Sequence, residues 1–403
     1  MTYISIKLAA DNISEFVIGM VHSLFYVGFL IGSARSEKLI HRIGHIRAFA
    51  AFAMLYCTTV LLQGIFINPY VWMVLRFFGG IGVSALYIII ESWFLYRATE
   101  ETRGKVLSIY MIAIYASQSL SQLFINIMPV DNLVPFLIIG ILATISVLPV
   151  ATTLSKSPEQ PEEIEAKKSF LEIIRHVPIG FIGAFISGMI LSAIFSFIPM
   201  FASHYALSVS NVMTITIAGG FILQLPIGYF SDIYDRRKVL LITSFLLIVP
   251  SLLTMFMPER AILVYIFSFL LGGFAFTLYP LSISHVCDRV ESIYITYVTG
   301  LLSVVYGVGA ILGPLLAPLF MKWINPAAIY LFISTCAVLL GLITLYIRMK
   351  RPRPTPKYDK VEYMPMAGNT PLPKDLDPRP AEAAPSNETS QDTMDHNEEK
   401  SSS

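Results

Sequence analysis

The sequence predicts an all-α integral membrane protein built as two parallel-repeat helical bundles, with eleven spans present. Three observations predict it. Of 403 residues, 55% are hydrophobic and 14% charged, little more than half the roughly 25% charge of a soluble domain. Apolar runs of about twenty residues, the length that crosses a bilayer as a helix, recur along the chain. Landmarks in the first half return in the second at a nearly constant offset. The charge is also unevenly spread, because residues 349–403 hold 8 of the 28 Lys and Arg and 10 of the 27 Asp and Glu. A body so poor in charge cannot cover itself with polar surface in water. That excludes a soluble globular protein, a nucleic-acid binder and a disulfide-stapled secreted domain, and it makes the lipid bilayer a partner. A net charge of +1 points to no other electrostatic partner.

The runs lie near 16–34, 46–66, 69–92, 105–127, 134–154, 177–202, 210–230, 239–257, 260–284, 294–319 and 326–347. Strands of a membrane barrel read as alternating segments of about ten residues. These runs are continuous and longer, so the spans are helices. The connections near 35–47, 96–105, 155–176, 232–238 and 285–293 hold fifteen Lys and Arg, and the intervening ones only Arg260 and Lys322. Positive residues stay on the cytoplasmic side, which places those five loops and the C-terminus inside. Four units follow. An N-terminal transmembrane bundle covers 1–154 with its first helix incomplete, and a cytoplasmic linker covers 155–176. A C-terminal transmembrane bundle covers 177–348, and a tail covers 349–403. The linker ends in a short amphipathic stretch, Phe170 to Val177. The tail has nine of the 24 prolines and no apolar periodicity, a composition that predicts disorder.

This orientation runs the first span from outside to inside, so Thr2 to Leu8 reads as the outer end of a preceding helix. Either the chain has eleven spans, or the start methionine stands downstream of a first one. No cleavable signal peptide is visible, since Lys7, Asp11 and Glu15 interrupt the only early apolar stretch. Cys57, Cys287 and Cys336 have no metal-ligand or redox spacing.

The repeat is parallel. Gly79-Gly80-Ile81-Gly82-Val83-Ser84-Ala85-Leu86-Tyr87 returns as Gly272-Gly273-Phe274-Ala275-Phe276-Thr277-Leu278-Tyr279, at offsets of 193 for the glycines and 192 for the tyrosine. His41-Arg42-Ile43-Gly44 aligns with Asp232-Ile233-Tyr234-Asp235 at 191. Parallel repeats packed around a midplane site are the architecture of one large transporter class.

Here the motifs point to a family. Gly228-Tyr229-Phe230-Ser231-Asp232-Ile233-Tyr234-Asp235-Arg236-Arg237-Lys238 resembles the G-x-x-x-D-R-x-G-R-R loop motif of the major facilitator superfamily. Arg76-Phe77-Phe78-Gly79-Gly80-Ile81-Gly82 resembles its R-x-x-x-G-x-G motif. Ile90-Glu91-Ser92, Arg103-Gly104-Lys105, Phe276-Thr277-Leu278-Tyr279-Pro280 and Gly309-Ala310-Ile311-Leu312-Gly313-Pro314 are similar to its YcaD-type bacterial subgroup. The resemblance covers about residues 2–348 and implies the major facilitator fold in a bacterial inner (plasma) membrane. It also implies that the first of the usual twelve spans is missing or truncated. The sequence departs from the family in places. Glu37 and His41 stand where Gly and Asp are expected, and Ile233 and Asp235 where Arg and Gly are. The G-x-x-x-G-P signature of drug antiporters is absent from the fifth helix.

Few residues carry chemistry inside the spans. Arg76 lies in an apolar run with no other charge before Glu91. Arginine at a helix centre costs about 2.5–3.5 kcal/mol on insertion scales, so Arg76 faces a cavity or a partner unless it snorkels to the outer headgroups. The resemblance implies a coupling role for it. Glu91 stands fifteen residues on, about 60° round the helix and about 22 Å along it. A dry carboxylate there binds a proton reversibly; the alternative is an interfacial pair with Arg97 or Arg103. Asp232, Arg236 and Arg237 cluster on a loop, with Gly228 allowing close helix approach. The family reading is a cytoplasmic gate that locks one face shut, with Arg42 as its weaker first-half counterpart; the plainer reading is positive-inside topology. Ser108, Tyr115, Gln118, Gln122 and Asn126 fall within roughly 80° on one helix wheel. They line a cavity for a polar solute or bond neighbouring helices, and Tyr87 and Tyr279 are symmetry mates that would close its two sides. His22 titrates near neutral pH, or packs between helices.

The function expected is secondary active transport of a small solute by alternating access, coupled to protons. No nucleotide-binding loop is present, and no cofactor or metal is implied. A membrane enzyme would need clustered catalytic groups, yet the seven histidines are isolated except for His41 and His45. The alternative is a non-transporting sensor or scaffold on the same fold, with the tail as its output. A monomer is expected.

Overall fold

The computed structural model describes residues 1–97, 100–126, 133–153, 174, 177–290, 292–350, 363 and 365–366. The linker, apart from Ile174, and the stretch from Phe170 to His176 around it lie outside these residues. The first half contains α1 (Thr2–Ala10), α2 (Glu15–Ile43), α3 (His45–Ile65), α4 (Pro69–Arg97) and α5 (Glu100–Leu123). A 3-10 turn (Phe124–Asn126) and the short pair α6 (Val134–Ile145) and α7 (Val147–Ala151) complete it. The second half contains α8 (Pro178–His204), α9 (Val209–Ile233), α10 (Arg236–Phe256), α11 (Ala261–Cys287), α12 (Ser292–Trp323) and α13 (Ala328–Lys350). Among the described residues, ten spans are long and apolar enough to cross a membrane, with α6 and α7 counting as one. The remaining run of the expected eleven forms α5, a 24-residue helix that is not among those ten.

In hydrocarbon every backbone group must find its partner inside the protein, and the helix ends show how this sequence arranges it. Asn68 accepts the Tyr70 and Val71 amides at 2.9 and 3.3 Å, with Pro69 at the first position of α4, where a missing N–H costs nothing. Asp235 accepts the Arg237 amide at 3.0 Å and starts α10. Gly44, at φ 83°, breaks α2 from α3 in a conformation that side chains resist. Leu120, Leu148, Leu225, Val249 and Ile262 point outward and form part of an apolar perimeter suited to lipid.

The repeat is visible as packing. A Cβ on Gly28 of α2 would strike the Phe77 carbonyl of α4, and one on Gly80 would strike the Phe25 carbonyl. In the second half a Cβ on Gly219 of α9 would strike the Phe269 carbonyl of α11, and one on Gly272 the Thr216 carbonyl. These four contacts superpose at offsets of 191 and 192, so both halves are held by the same backbone-to-backbone crossing. Small residues drive such crossings where the hydrophobic effect between helices is absent.

One end of the bundle is basic, marked by Arg42, Arg236, Arg237 and Arg289. Towards the opposite end the halves meet directly. A Cβ on Gly19 would strike the Pro314 carbonyl, and the Ser23 hydroxyl donates to the Ile311 carbonyl at 2.8 Å. Buried Ile4 and Leu8 of α1 join the same core as α8. Closer to mid-depth, Tyr115 of α5 packs on Phe221 of α9 with ring centroids 5.2 Å apart.

The symmetry predicts matched costs. Gly80→Val and Gly272→Val each overpack an equivalent crossing and should destabilise the protein by about 3 kcal/mol. Gly300→Ala, whose Cβ would meet nothing within 4 Å, should be neutral or gain up to about 1 kcal/mol of helix propensity. Thermal unfolding in detergent measures all three; similar values for Gly300→Ala and Gly80→Val would refute the crossing argument.

Candidate functional site

Arg76 is buried, at 6% exposure, and its guanidinium carbon stands 4.1 Å over the Phe25 ring. Its Nε and Nη2 have no hydrogen-bond partner. His22, Tyr26 and Tyr56 lie within its electrostatic reach. His22 is fully buried, and its Nε2 meets the Ser5 hydroxyl at 2.8 Å while Nδ1 is unpartnered. The side chain is therefore enclosed in the bundle rather than extended to a rim. A cation over an aromatic face gains at most about 2 kcal/mol, which leaves its donors seeking an acceptor.

Glu91 is buried at 2% exposure. The Tyr110 hydroxyl of α5 donates to Oε1 at 2.9 Å, and Oε2 is unpartnered. Arg97 and Arg103, its alternative partners by sequence, have side chains outside the described residues. The Tyr110 contact was not legible, since nothing in the sequence pairs α4 with that turn of α5.

The polar face of α5 is only partly a cavity wall. Tyr115 is buried, while Gln118 and Gln122 each carry a side-chain oxygen without a partner. Ser108 is exposed, and the Asn126 side chain lies outside the described residues. Tyr87 is half-buried against Phe29, at 6.3 Å between ring centroids. Its mate Tyr279 is buried, with its hydroxyl 3.2 Å from Ser303 and its ring 4.5 Å from Tyr306. The two tyrosines occupy equivalent places on α4 and α11.

At the basic end, Arg236 is the hub. Its Nε meets Asp288 at 2.7 Å, Nη2 meets Asp232 at 3.0 Å, and Nη1 donates to the Ser231 hydroxyl at 3.1 Å. Arg237 pairs with Asp235 at 3.3 Å. Burial pushes the Asp235 carboxyl up, but the Arg237 amide and guanidinium and the nearby Arg289 outweigh it, so Asp235 stays below the usual carboxylate range. Its contribution to stability is present above that range and is lost only as pH falls through the lowered value. These bonds tie α9 and α10 to the end of α11, all within the second half. Among the described residues these ion pairs do not cross to the first half, and exposed Arg42 takes no part in them. Asp288 was missed by sequence reading. Its signal was a carboxylate in the sparsely charged 285–293 connection at the same end.

Between the halves the lining includes Gln224 of α9, an amide deep in an apolar span. Gln224 is fully buried and donates to the Tyr115 hydroxyl. Its other partner is unexpected. Tyr363, Pro365 and Met366 of the tail pack into the body here: Gln224 and Tyr115 bond the Met366 backbone, and Asp232 accepts the Tyr363 amide.

A sequence model of the Major Facilitator Superfamily matches residues 1–222 and 206–381. An uncharacterized MFS-type transporter of Enterobacter sp. (strain 638) is 28% identical over 360 residues, covering 88% of this chain and 92% of the relative. The uncharacterized MFS-type transporter YcaD of Escherichia fergusonii is 27% identical, covering 85% and 90%. Among solved structures, the nucleoside transporter NupG has a TM-score of 0.66 at 18% identity, covering 86% of this chain and 93% of its own. A D-xylose-proton symporter has a TM-score of 0.67 at 16% identity, covering 85% and 91%.

The basic cluster gives an ordered pair of variants. Asp288→Asn leaves a buried guanidinium short of its closest carboxylate and should cost about 3–5 kcal/mol. Asp232 is about a third exposed (32%), so Asp232→Asn should cost about 1 kcal/mol or less. Equal losses in a detergent thermal melt would show that Arg236 is not the hub.

Proposed function

The chain belongs to the major facilitator superfamily, and from that premise we propose that it is a secondary active transporter that moves a small solute by alternating access, coupled to protons. The observation that carries this reading is the pair of incompletely answered ionisable groups on α4. Arg76 has two free donor atoms and Glu91 one free acceptor oxygen, both in buried surroundings. An intramembrane ionisable side chain is expensive and is retained for function. In this reading Arg76, with His22 beside it, takes an acceptor group of the solute, best an anionic one. Glu91, steadied by Tyr110, takes and releases the proton. Fifteen helical residues separate the two by about 22 Å, so they communicate through movement of α4 rather than by direct contact. Tyr87, Tyr279, Gln118 and Gln122 line the path, and Asn126 lies on the same face of α5 by sequence. Gly228, Asp232, Arg236 and Arg237 stiffen the basic end of the second half as it moves, and Arg42 faces solvent on the first.

The basic end faces the cytoplasm in this proposal, with the C-terminus inside an inner membrane, and the protein works as a monomer. A reporter enzyme active only outside the cytoplasm, fused after Ser403, should stay silent. The alternative, a ligand sensor without transport, is favoured by one observation, the tail seated between the halves.

Counterflow in proteoliposomes separates the two readings. Nucleosides and pentoses are the first solutes to load, because two structural neighbours carry those names. A transporter exchanges labelled solute, whereas a sensor binds it without exchange. Glu91→Gln should keep exchange but lower proton-driven accumulation at least about tenfold and flatten its dependence between about pH 5.5 and 8. Unchanged accumulation across that range would remove Glu91 from the proton path.

A further inference from the structure

Helices α5 and α9 come from different halves, and the tail segment that includes Tyr363 and Met366 bridges them. The Met366 amide donates to Gln224 Oε1 at 2.9 Å. The Met366 carbonyl accepts from Gln224 Nε2 at 3.0 Å and from the Tyr115 hydroxyl at 2.7 Å. Both polar backbone groups of one residue are thus taken by a single carboxamide, the fork by which an amide side chain reads a peptide. Tyr363 donates its amide to both Asp232 oxygens, at 3.1 and 3.2 Å. Its ring lies on Gly228 so closely that a Cβ there would collide with ring carbons. Tyr363 and Met366 are both buried.

The spacing fits an extended strand. Asp232 and Gln224 are eight residues apart on α9, about 12 Å along the axis. The three steps from Tyr363 to Met366 span about 10 Å when extended. The segment therefore enters at the basic end, where α13 also finishes, and runs inward along α9. Twelve residues join Lys350 to Tyr363, ample reach for the crossing.

Side-chain chemistry explains why this sequence fits. Of the described positions, Met366 is flexible and apolar and Pro365 asks for no amide partner. The described tail residues, Tyr363, Pro365 and Met366, carry no charge. Asp232 meets a backbone amide here, so the carboxylate of the loop motif serves the tail as well as Arg236.

We infer that the space between α5 and α9 is a binding site for an extended, uncharged peptide segment, that the chain's own Tyr363, Pro365 and Met366 are its occupant, and that this contact inhibits transport from the basic side. The inhibitory consequence rests on the transport reading, whereas the seating does not. With the segment in place the two halves are cross-bridged and the basic mouth is filled. Solute access and movement of α5 against α9 both require it to leave.

The seating is tested in the full chain without any solute. Benzoyl-phenylalanine placed at position 363 and irradiated in membranes should cross-link within its own chain to the stretch of α9 around Gly228, as mapped by mass spectrometry. Cross-links to a second copy, to lipid alone or to a remote helix would overturn the proposal. A second measurement uses Gln118→Cys, with Cys57→Ala, Cys287→Ala and Cys336→Ala, labelled by an impermeant maleimide from the basic side. Gln118 lies one turn beyond Tyr115, so labelling should be slow in the full chain and about tenfold faster after truncation at Lys350. A synthetic peptide of residues 359–370 should restore protection, and Gly228→Val in the full chain should mimic truncation. Equal labelling with and without the tail would overturn the site. If the cross-link forms and counterflow is equally fast in both chains, the site stands and the inhibition is refuted. If neither chain exchanges any solute while the cross-link forms, the transport reading fails and the peptide site does not.

Discussion

A charge buried in a hydrocarbon layer has to be answered inside the protein, and the arrangement of this molecule turns on which charges are answered. Arg236 is answered fully, by two carboxylates and a hydroxyl. Arg76 lies over the face of Phe25, and its Nε and Nη2 have no hydrogen-bond partner among the described residues. Glu91 has one oxygen bonded and one free. In a bilayer core an unmet polar group costs several kcal/mol, so the first kind of residue holds the structure and the second kind is retained at the expense of stability. That difference is the ground on which Arg76 and Glu91, rather than Arg236, are proposed as the working residues.

The two halves share a backbone crossing but divide the chemistry. Gly28 and Gly80 find their equivalents in Gly219 and Gly272, because helix approach to backbone contact admits nothing larger than glycine. The side chains around those crossings diverged. Arg76 and Glu91 correspond, at the same offset of 192, to Ser268 and Ile283. In the other direction, Asp232 and Arg236 correspond to His41 and His45 at 191. The first half therefore carries the intramembrane charges, and the second carries the ion-pair network at the basic end.

Most of the fold was legible because its determinants are local or periodic. Apolar runs, Asn68-Pro69 and Asp235 as helix starts, Gly44 as a break and the repeat of glycine pairs are all written within short windows. Of the candidate site, the burial of Arg76 and Glu91 was legible, because a charge in an apolar run stands out. What stayed hidden was partnership: Tyr110 for Glu91, Ser5 for His22, and Asp288 for Arg236. Each pair joins distant segments, and sequence spacing says nothing about which helices become neighbours. The tail was hidden for another reason. Its composition signals disorder through Pro, Ser and charge, and the four residues Tyr363 to Met366 are too few to shift that average, although they are apolar and uncharged.

The two ends of the bundle are closed by different means, and this bears on how the halves can separate. Towards the far end the seal is body against body, with Gly19 on the Pro314 carbonyl and Ser23 on Ile311. Opening it means parting backbone surfaces that touch without intervening side chains, which loses dispersion contacts over the whole crossing at once. At the basic end α5 and α9 meet through the Gln224–Tyr115 bond and the Tyr115–Phe221 ring contact, and the Met366 backbone adds a bridge between them. Removing the segment costs a few hydrogen bonds, each worth about 1 kcal/mol net when water can replace the partner. The basic end is therefore the weaker closure, and it is the one a tethered peptide can control. A segment joined to the last helix by twelve residues is present at high effective concentration, so modest individual contacts suffice to keep it seated. Placing control there leaves the far-end seal to the symmetric scaffold, which needs no further regulation to favour the closed arrangement.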